Sequence, residues 1–291
     1  MNNKIILGTV QLGLDYGINN LSGKPSLKEA FDILDLAHSS GIKTLDTAEA
    51  YGTSMEVIGK FQKQYPNKNF NIISKLSANS NISNKNLSKH VLSCCETLNS
   101  EQLYGYMFHN YESFIKNTKL YDEMISLKSE GIILNAGISL YTNKEIEDII
   151  ENFSDFDFIQ IPFNLLDNDL KRASIILKAK EKGIAIHTRS TFLQGLFFMD
   201  PSQLPNKLLS LKPYVENVHK IASQNNLSPD ELALQYVLQK DYIDYVLIGV
   251  DNKNQLEENI KKINKTFDIS DKLIDTIDVT EDQLLNPSNW H

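Results

Sequence analysis

Residues 128–139, KSEGIILNAGIS, decide the fold. A charged helix end runs into Gly131, and an apolar β-type run follows. Glycine just past a helix C-terminus accepts the left-handed conformation that ends the helix, so the segment reads as a helix-to-strand joint. The same joint recurs at residues 39–46, SSGIKTLD, and at residues 180–190, KEKGIAIHTRS. Three copies of one joint indicate repeated strand–helix units.

Outward from these joints, eight short apolar runs read as strands: Ile5–Leu7, Thr44–Asp46, Ile72–Lys75, Tyr104–His109, Leu134–Ile138, Phe158–Ile161, Ile184–Thr188 and Tyr245–Ile248. Helical patterns separate them: Leu27–Ser39, Met55–Gln62, Lys85–Leu98, Lys119–Ser129, Lys144–Glu151, Leu170–Lys182, Pro213–Gln224 with Asp230–Gln239, and Gln255–Ile263. Ser26 with Glu29 three residues on has the pattern of a capping box. Pro229 follows Ser228 at a helix start, where the missing N–H costs nothing. Strand–helix alternation with short joints gives a parallel sheet, and eight units suggest closure into a (β/α)8 barrel. An open doubly wound sheet is the alternative. Against it, Gly8, Gly13 and Gly17 are too widely spaced for a dinucleotide-binding glycine loop. The chain is read as one barrel domain over residues 1–291, with a C-terminal extension over 264–291.

Composition sets bounds on this reading. The 291 residues are 41% hydrophobic and 23% charged, a globular composition long enough for a large core. With 29 Lys and Arg against 37 Asp and Glu the net charge is −8, which argues against general nucleic-acid binding but leaves room for a local basic pocket. No window approaches the roughly 20 apolar residues of a membrane helix. The N-terminal MNNKIILGTVQLG is too short an apolar run for a signal peptide. Cys94 and Cys95 are adjacent on a helical pattern and point in different directions, so they read as reduced structural thiols rather than a metal site or a disulfide. A cytoplasmic enzyme acting on a small molecule is expected, with no metal, membrane or nucleic acid involved.

In such a barrel the chemistry sits at the C-terminal ends of the strands. Strand ends here bring Asp46, Lys75 and His109, and Tyr51 follows Asp46 by five residues. A Tyr hydroxyl, with a pKa near 10, is a weak acid at neutral pH. A neighbouring ammonium stabilises the phenolate; Lys75 can supply it, and Asp46 can hold Lys75 charged and oriented. Tyr51 then protonates a carbonyl oxygen that His109 orients. That is half of a reduction. The missing hydride comes from no side chain, so a nicotinamide cofactor is implied.

These residues resemble the aldo-keto reductase superfamily, over nearly the whole chain. LDTAEAYGTSMEVIGK (45–60) is similar to the family's signature segment, IISKL (72–76) to the segment of its Lys and YMFHN (106–110) to that of its His. The resemblance implies that Asp46, Tyr51, Lys75 and His109 form the family's catalytic tetrad. It also implies nicotinamide contacts for Ser139 in GISLY and Gln160 in FIQIPFNLLD. HTRSTFLQGLF, with Arg189 and Ser190, resembles the segment along the nicotinamide and pyrophosphate. VLIGVDNKNQLEENI resembles the C-terminal cofactor segment, with Gly249, Asp251, Gln255, Glu258 and Asn259; the last three fall where the adenosine end is contacted. NADP(H) is the implied cofactor, with NAD(H) as the alternative.

Three departures stand out. Leu140 replaces the family's usual Asn. Arg189 replaces an aromatic ring; a guanidinium can stack while adding a charge for a cofactor phosphate or an anionic substrate, or it can merely pair with a carboxylate. Asp251 lies where an adenosine 2′-phosphate is expected and would repel it, unless Lys253 offsets it, so weaker discrimination against NADH is predicted. The family's N-terminal hairpin is missing, which leaves the barrel floor open or covered by the tail. Substrate choice falls to the loops Gln11–Lys24, Tyr111–Asn117, Asn164–Asp169 and Phe192–Pro205, and to the tail Asn286–His291 with the only Trp, Trp290. Tyr16 and Asn19 in the first loop suit a hydroxylated, sugar-derived carbonyl. An NAD(P)(H)-dependent carbonyl reductase or alcohol dehydrogenase is the expected activity. A nicotinamide-binding regulatory subunit with little turnover is the alternative, and a Schiff-base aldolase using Lys75 is a third reading.

Overall fold

The computed structural model describes residues 4–20, 22–78, 80, 82, 86–265 and 270–290. Eight strands close into one parallel barrel in chain order: β1 (Ile5–Gly8), β2 (Thr44–Asp46), β3 (Asn71–Leu76), β4 (Gly105–Phe108), β5 (Ala136–Ser139), β6 (Phe158–Pro162), β7 (Ala185–Arg189) and β8 (Tyr245–Gly249). β8 pairs with β1, with Gly249 opposite Gly8, which closes the ring. The expected (β/α)8 architecture is therefore present, and the open doubly wound sheet is excluded.

The helices are α1 (Val10–Gly13), α2 (Leu27–Ser39), α3 (Ser54–Gln64), α4 (Leu87–Leu98), α5 (Tyr111–Lys116), α6 (Lys119–Ser129), α7 (Asn143–Asn152), α8 (Asp169–Glu181), α9 (Lys212–Gln224), α10 (Pro229–Leu238) and α11 (Lys253–Ile263). The expected capping box at Ser26 and Glu29 forms, and two more form at Thr142 with Glu145 and at Ser228 with Glu231. Each satisfies two otherwise orphaned backbone donors at a helix start. At the joints, Gly131 has φ +74° and Gly183 φ +80°, and a β-carbon would meet nothing at either. The demand for glycine there is torsional, not steric.

Several boundaries move. Residue Leu134, expected in a strand, precedes β5 and is 44% exposed. The Tyr111–Asn117 loop holds α5, capped by Asn110, whose side chain accepts from the Ser113 N–H at 2.8 Å. Lys85, the expected start of one helix, lies outside the described residues.

Apolar side chains between the strands and the helix ring form the main core. A second cluster of Ile6, Ile73, Met107 and Phe158 fills the barrel interior, with Tyr104, Tyr245 and Leu247 packed on it. Phe158 stacks on His187 at 4.4 Å between ring centres, and His187 meets Tyr245 edge-on. A β-carbon at Gly137 would run into the Phe158 ring, so glycine there makes room for this plug. The barrel's own aromatic residues thus fill its lower end. The tail lies elsewhere: Asn168, beyond β6, donates to the Ile274 and Ile277 carbonyls, and Ser288 borders the cavity at the strands' C-terminal ends. Trp290 is buried in the main core and donates to the Leu284 carbonyl at 2.9 Å. It anchors the tail and does not line the cavity.

Candidate active site

Each strand end contributes to one cavity of about 860 Å³, and all thirteen candidate site residues named from the sequence border it. Asp46 ends β2, Lys75 is next to last in β3, and His109 follows β4. Ser139, Arg189 and Gly249 end β5, β7 and β8. Parallel strands in one barrel point all their C-terminal ends the same way, which is why residues so far apart in sequence converge.

Asp46 and Lys75 form a buried ion pair between Oδ1 and Nζ. Lys75 Nζ also donates to the Thr47 carbonyl at 3.2 Å and lies 3.3 Å from the Tyr51 hydroxyl. The other Asp46 oxygen accepts from Gln160 Nε2 at 2.8 Å. Gln160 therefore braces the pair in this structure. Tyr51 and His109 meet edge-on at 6.2 Å between ring centres. The three partners satisfy the ammonium, as a buried charge requires.

Backbone contacts fix the loop that carries Tyr51. Thr47 N–H donates to the Ile73 carbonyl at 2.8 Å, and Tyr51 N–H donates back to Ala48 at 3.0 Å. Gly52, with φ +55°, sits against the Gly13 carbonyl, where any side chain would clash. Ser54 Oγ donates to the Thr9 carbonyl at 2.9 Å, tying α3 to the end of β1.

The electrostatics differ from the sequence reading in one respect. Burial pushes the Tyr51 hydroxyl up, Asp46 pushes it further, and Arg189 is the cation that pulls it down. The net direction is upward. Lys75 was expected to lower this pKa, but its charge is matched by Asp46, which leaves Arg189 as the effective cation. Lys75 itself is pushed down by burial, more than Asp46 holds it up. His109 is lowered to about 4 by burial and by the Lys75 and Arg189 charges. It is neutral at pH 7, and its Nδ1 is buried with no hydrogen-bond partner among the described residues. A neutral imidazole can donate one hydrogen bond to an oxygen placed between it and Tyr51.

Arg189 lies over the Tyr141 ring, 3.9 Å from its centre, and donates to the Leu140 carbonyl at 3.3 Å. Among the described residues it forms no ion pair. Behind it, Ser190, Leu193 and Gln194 have φ between +47° and +62°, and of these left-handed non-glycine residues Ser190 and Gln194 line the cavity. Such backbone strain concentrates at ligand sites.

The far end of the cavity lies at the start of α11. Asn252 caps that helix by accepting from the Gln255 N–H at 3.0 Å. Asp251 and Gln255 bind each other: Asp251 N–H donates to Gln255 Oε1 at 2.8 Å, and Gln255 Nε2 donates to Asp251 Oδ2 at 3.1 Å. Lys253 pairs with Glu257, and Lys262 on the cavity wall pairs with Asp230. Lys253 makes no ion pair with Asp251 among the described residues.

The cavity also holds residues given no individual role from the sequence, Gln11, Tyr141, Asp230 and Lys262 among them. Gln11 follows β1 closely, and its buried Oε1 has no hydrogen-bond partner among the described residues. Tyr141 lies two residues past Ser139 and carries the Arg189 stack. Asp230 and Lys262 come together only through the packing of α10 on α11. Position just past a strand end was the signal available for the first two.

The sequence profile of the Aldo/keto reductase family matches residues 4–280. A probable aldo-keto reductase 1 from Glycine max is 25% identical over 276 residues, spanning 85% of this chain and 79% of the relative. A putative voltage-gated potassium channel subunit beta from Schizosaccharomyces pombe is 23% identical, spanning 90% and 84%. In fold, the structure is similar to an aldo-keto reductase from Bacillus halodurans in its holo form, with TM-score 0.75, 20% identity and coverage of 95% and 92%. With this match over nearly its full length, and a closed eight-stranded parallel barrel whose strand ends carry an Asp–Lys pair, a Tyr and a His, the chain belongs to the aldo/keto reductase family of oxidoreductases.

Proposed function

We propose that the protein is an NAD(P)(H)-dependent carbonyl reductase or alcohol dehydrogenase in which Tyr51 protonates the carbonyl oxygen. The observation that carries this reading is the Tyr51 hydroxyl, 3.3 Å from a buried, Asp46-paired ammonium and beside a neutral His109. Tyr51 and His109 present two donors to one oxygen. Lys75 relays charge stabilisation to Tyr51 as its proton leaves, and Asp46 with Gln160 keeps Lys75 in place. In the alcohol direction the Tyr51 phenolate takes the proton back.

The cavity fits a nicotinamide dinucleotide. Its volume suits a large ligand, and Gln11 Oε1 is a buried acceptor left over on the wall. A β-carbon at Gly249 would lie 2.7 Å from Gln11 Nε2, so glycine keeps the wall open there. Ser139, Gln160, Arg189 and Ser190 would hold the nicotinamide half, and Asp251, Gln255, Glu258 and Asn259 the adenosine half, at a helix start that favours phosphate. A bound nicotinamide supplies the hydride. Asp251 and the Asp230-paired Lys262 leave no free cation for a 2′-phosphate among the described lining residues of that end, so NADH is accepted beside NADPH. Arg189 favours a carbonyl substrate that also bears an anionic or hydroxylated group.

The relative with a potassium-channel-subunit name supports the second reading, a nicotinamide-binding regulatory subunit with little turnover. The intact Asp46–Lys75–Tyr51–His109 set favours catalysis. The aldolase reading is disfavoured, because a Schiff-base lysine needs a free lone pair and Lys75 already directs its N–H groups at three oxygens.

Calorimetric titration with NADPH and, in parallel, NADH tests the proposal. Binding of both within about tenfold is expected, a difference of about 1.4 kcal/mol. Binding of neither overturns the reductase reading. Tight binding without oxidation of the reduced nucleotide by a panel of aldehydes selects the regulatory reading.

A further inference from the structure

Glu49 lies between Asp46 and Tyr51 in sequence, but its carboxylate packs among α4 and β4 instead of facing the cavity. Three proton-bearing groups converge on one of its oxygens, Oε1. Tyr106 Oη lies 2.6 Å away and donates to it, His90 Nε2 lies 2.9 Å away, and Cys94 Sγ lies 3.7 Å away. The other oxygen, Oε2, accepts from the Ser77 N–H at 3.1 Å. A carboxylate oxygen offers about two lone-pair directions. Three groups crowd it: His90 Nε2 is ion-paired with Oε1, and the Tyr106 hydroxyl and the Cys94 thiol are directed at the same oxygen.

We infer that Glu49, His90 and Cys94 form a binding site for a zinc-like divalent cation behind the loop that carries Tyr51. The three donor atoms lie within 4.8 Å of one another. Tetrahedral zinc, with bonds of about 2.0 Å to N and O and 2.3 Å to S, needs its ligands roughly 3.3–3.6 Å apart, so only small side-chain shifts separate the present cluster from a coordination shell. A thiolate, an imidazole and a carboxylate together select a borderline-soft cation over Mg²⁺ or Ca²⁺. A carboxylate and a thiolate also neutralise a 2+ charge, which a site this sheltered demands. Tyr106 would orient the Glu49 ligand from behind by its hydrogen bond.

Access comes from the His90 side, whose side chain is 33% exposed against 13% for Glu49, while Cys94 is buried. In the metal-free protein the thiol keeps its proton, since burial and the Glu49 charge push its pKa up, and Glu49 favours imidazolium at His90. Binding breaks the Cys94 S–H bond and the Nε2–H bond of the imidazolium. Both protons leave to solvent, a metal–sulfur and a metal–nitrogen bond form, and no electron changes hands. Cys95, one residue on and about 100° further round α4, lies outside the cluster. The sequence reads Cys94 and Cys95 as structural thiols; the fold brings Cys94 alone to Glu49 and His90. With three protein ligands, the fourth position is left to water.

The site does not depend on the reductase reading and is tested without turnover. Full-length protein is stripped with chelator and titrated with Co²⁺ as an optical probe. One equivalent should give a thiolate-to-cobalt charge-transfer band in the near ultraviolet, and Zn²⁺ should displace it. Cys94→Ser should abolish the band and Cys95→Ser should retain it. His90→Asn, at a half-exposed position that tolerates change, should weaken cobalt binding by at least about tenfold. Thermal unfolding of the wild type should rise with Zn²⁺ concentration, as mass action requires. Absence of the band at saturating cobalt in the wild type, or an undiminished band in either Cys94→Ser or His90→Asn, overturns the site and leaves a buried ion pair alone.

Discussion

Gly13 of α1 and Tyr51 are in backbone contact, with no room for a side chain between them. A β-carbon on Gly13 would overlap the Tyr51 carbonyl oxygen and lie 2.6 Å from the Ser54 nitrogen. Both neighbours are main chain, so no rotamer change relieves the clash. Gly13→Ala must displace α1 or the loop that carries Tyr51. Overpacking of this kind costs about 1–3 kcal/mol. We expect a loss of that size in urea unfolding, together with a fall in turnover larger than the stability loss accounts for. Unchanged turnover in a folded variant would show that Gly13 does not position Tyr51.

Tyr51→Phe removes one hydroxyl and leaves the ring against His109. Nucleotide affinity should stay within about twofold, because the ring and the cavity wall remain. Carbonyl reduction should fall by roughly 10²–10⁴-fold, the usual worth of a general acid. Stopped-flow oxidation of the reduced nucleotide measures it directly, and a wild-type rate would remove Tyr51 from the chemistry.

The buried Asp46–Lys75 pair separates stability from catalysis. Lys75→Met leaves Asp46 charged and short of a partner, at about 3–5 kcal/mol. Asp46→Asn together with Lys75→Met removes both charges and keeps an acceptor for Gln160 Nε2. The double variant should regain most of the urea midpoint while turnover stays lost. Recovery of turnover along with stability would mean that the ammonium serves the fold alone.

His187 lies between Phe158 and Tyr245 in the barrel plug, and burial lowers its pKa to about 3. Above pH 6.5 it is neutral in the folded and unfolded states alike. Below that, the unfolded chain takes up a proton that the fold refuses, so stability is lost from pH 6.5 down to about 3. At pH 5 the loss from this residue is about 2 kcal/mol. Stability of the wild type should therefore fall more between pH 7 and pH 5 than that of His187→Leu. Equal pH slopes in urea titrations would show that His187 titrates normally. His109, lowered to about 4, adds to the same limb.

The barrel was legible because its signals are local. Gly41, Gly131 and Gly183 adopt the positive φ that their joints imply, and Ser26, Thr142 and Ser228 cap where Glu follows at the third position. The short helices α1 and α5 were missed, since four and six residues are too few to show a helical period. The convergence of Asp46, Lys75 and His109 followed from strand ends alone. The direction of the Tyr51 shift did not, because desolvation depends on packing that no spacing encodes. The commitment of Gln160 Nε2 to Asp46 spans 114 residues and was equally hidden. The Glu49–His90–Cys94 cluster needs α4 laid against the β2 loop, which periodicity alone does not place.

Arg189 offers the test that bears on both cofactor and substrate. It stacks on Tyr141, forms no ion pair among the described residues, and is the cation that eases proton loss from Tyr51. Arg189→Leu removes the charge and keeps part of the bulk over the ring. If the guanidinium serves an anionic substrate, KM for carboxylated or phosphorylated aldehydes should rise at least about tenfold, the scale of a charged hydrogen bond. KM for neutral aldehydes should change little, and nucleotide affinity should hold. If it serves a cofactor phosphate, the nucleotide titration weakens instead and the selectivity among aldehydes is unchanged. In either case alcohol oxidation, which needs a deprotonated Tyr51 oxygen to accept the alcohol proton, should move its acid limb to higher pH in the variant. A pH–rate profile that coincides with the wild type would mean that Arg189 does not act on Tyr51, and that Lys75 alone sets its acidity.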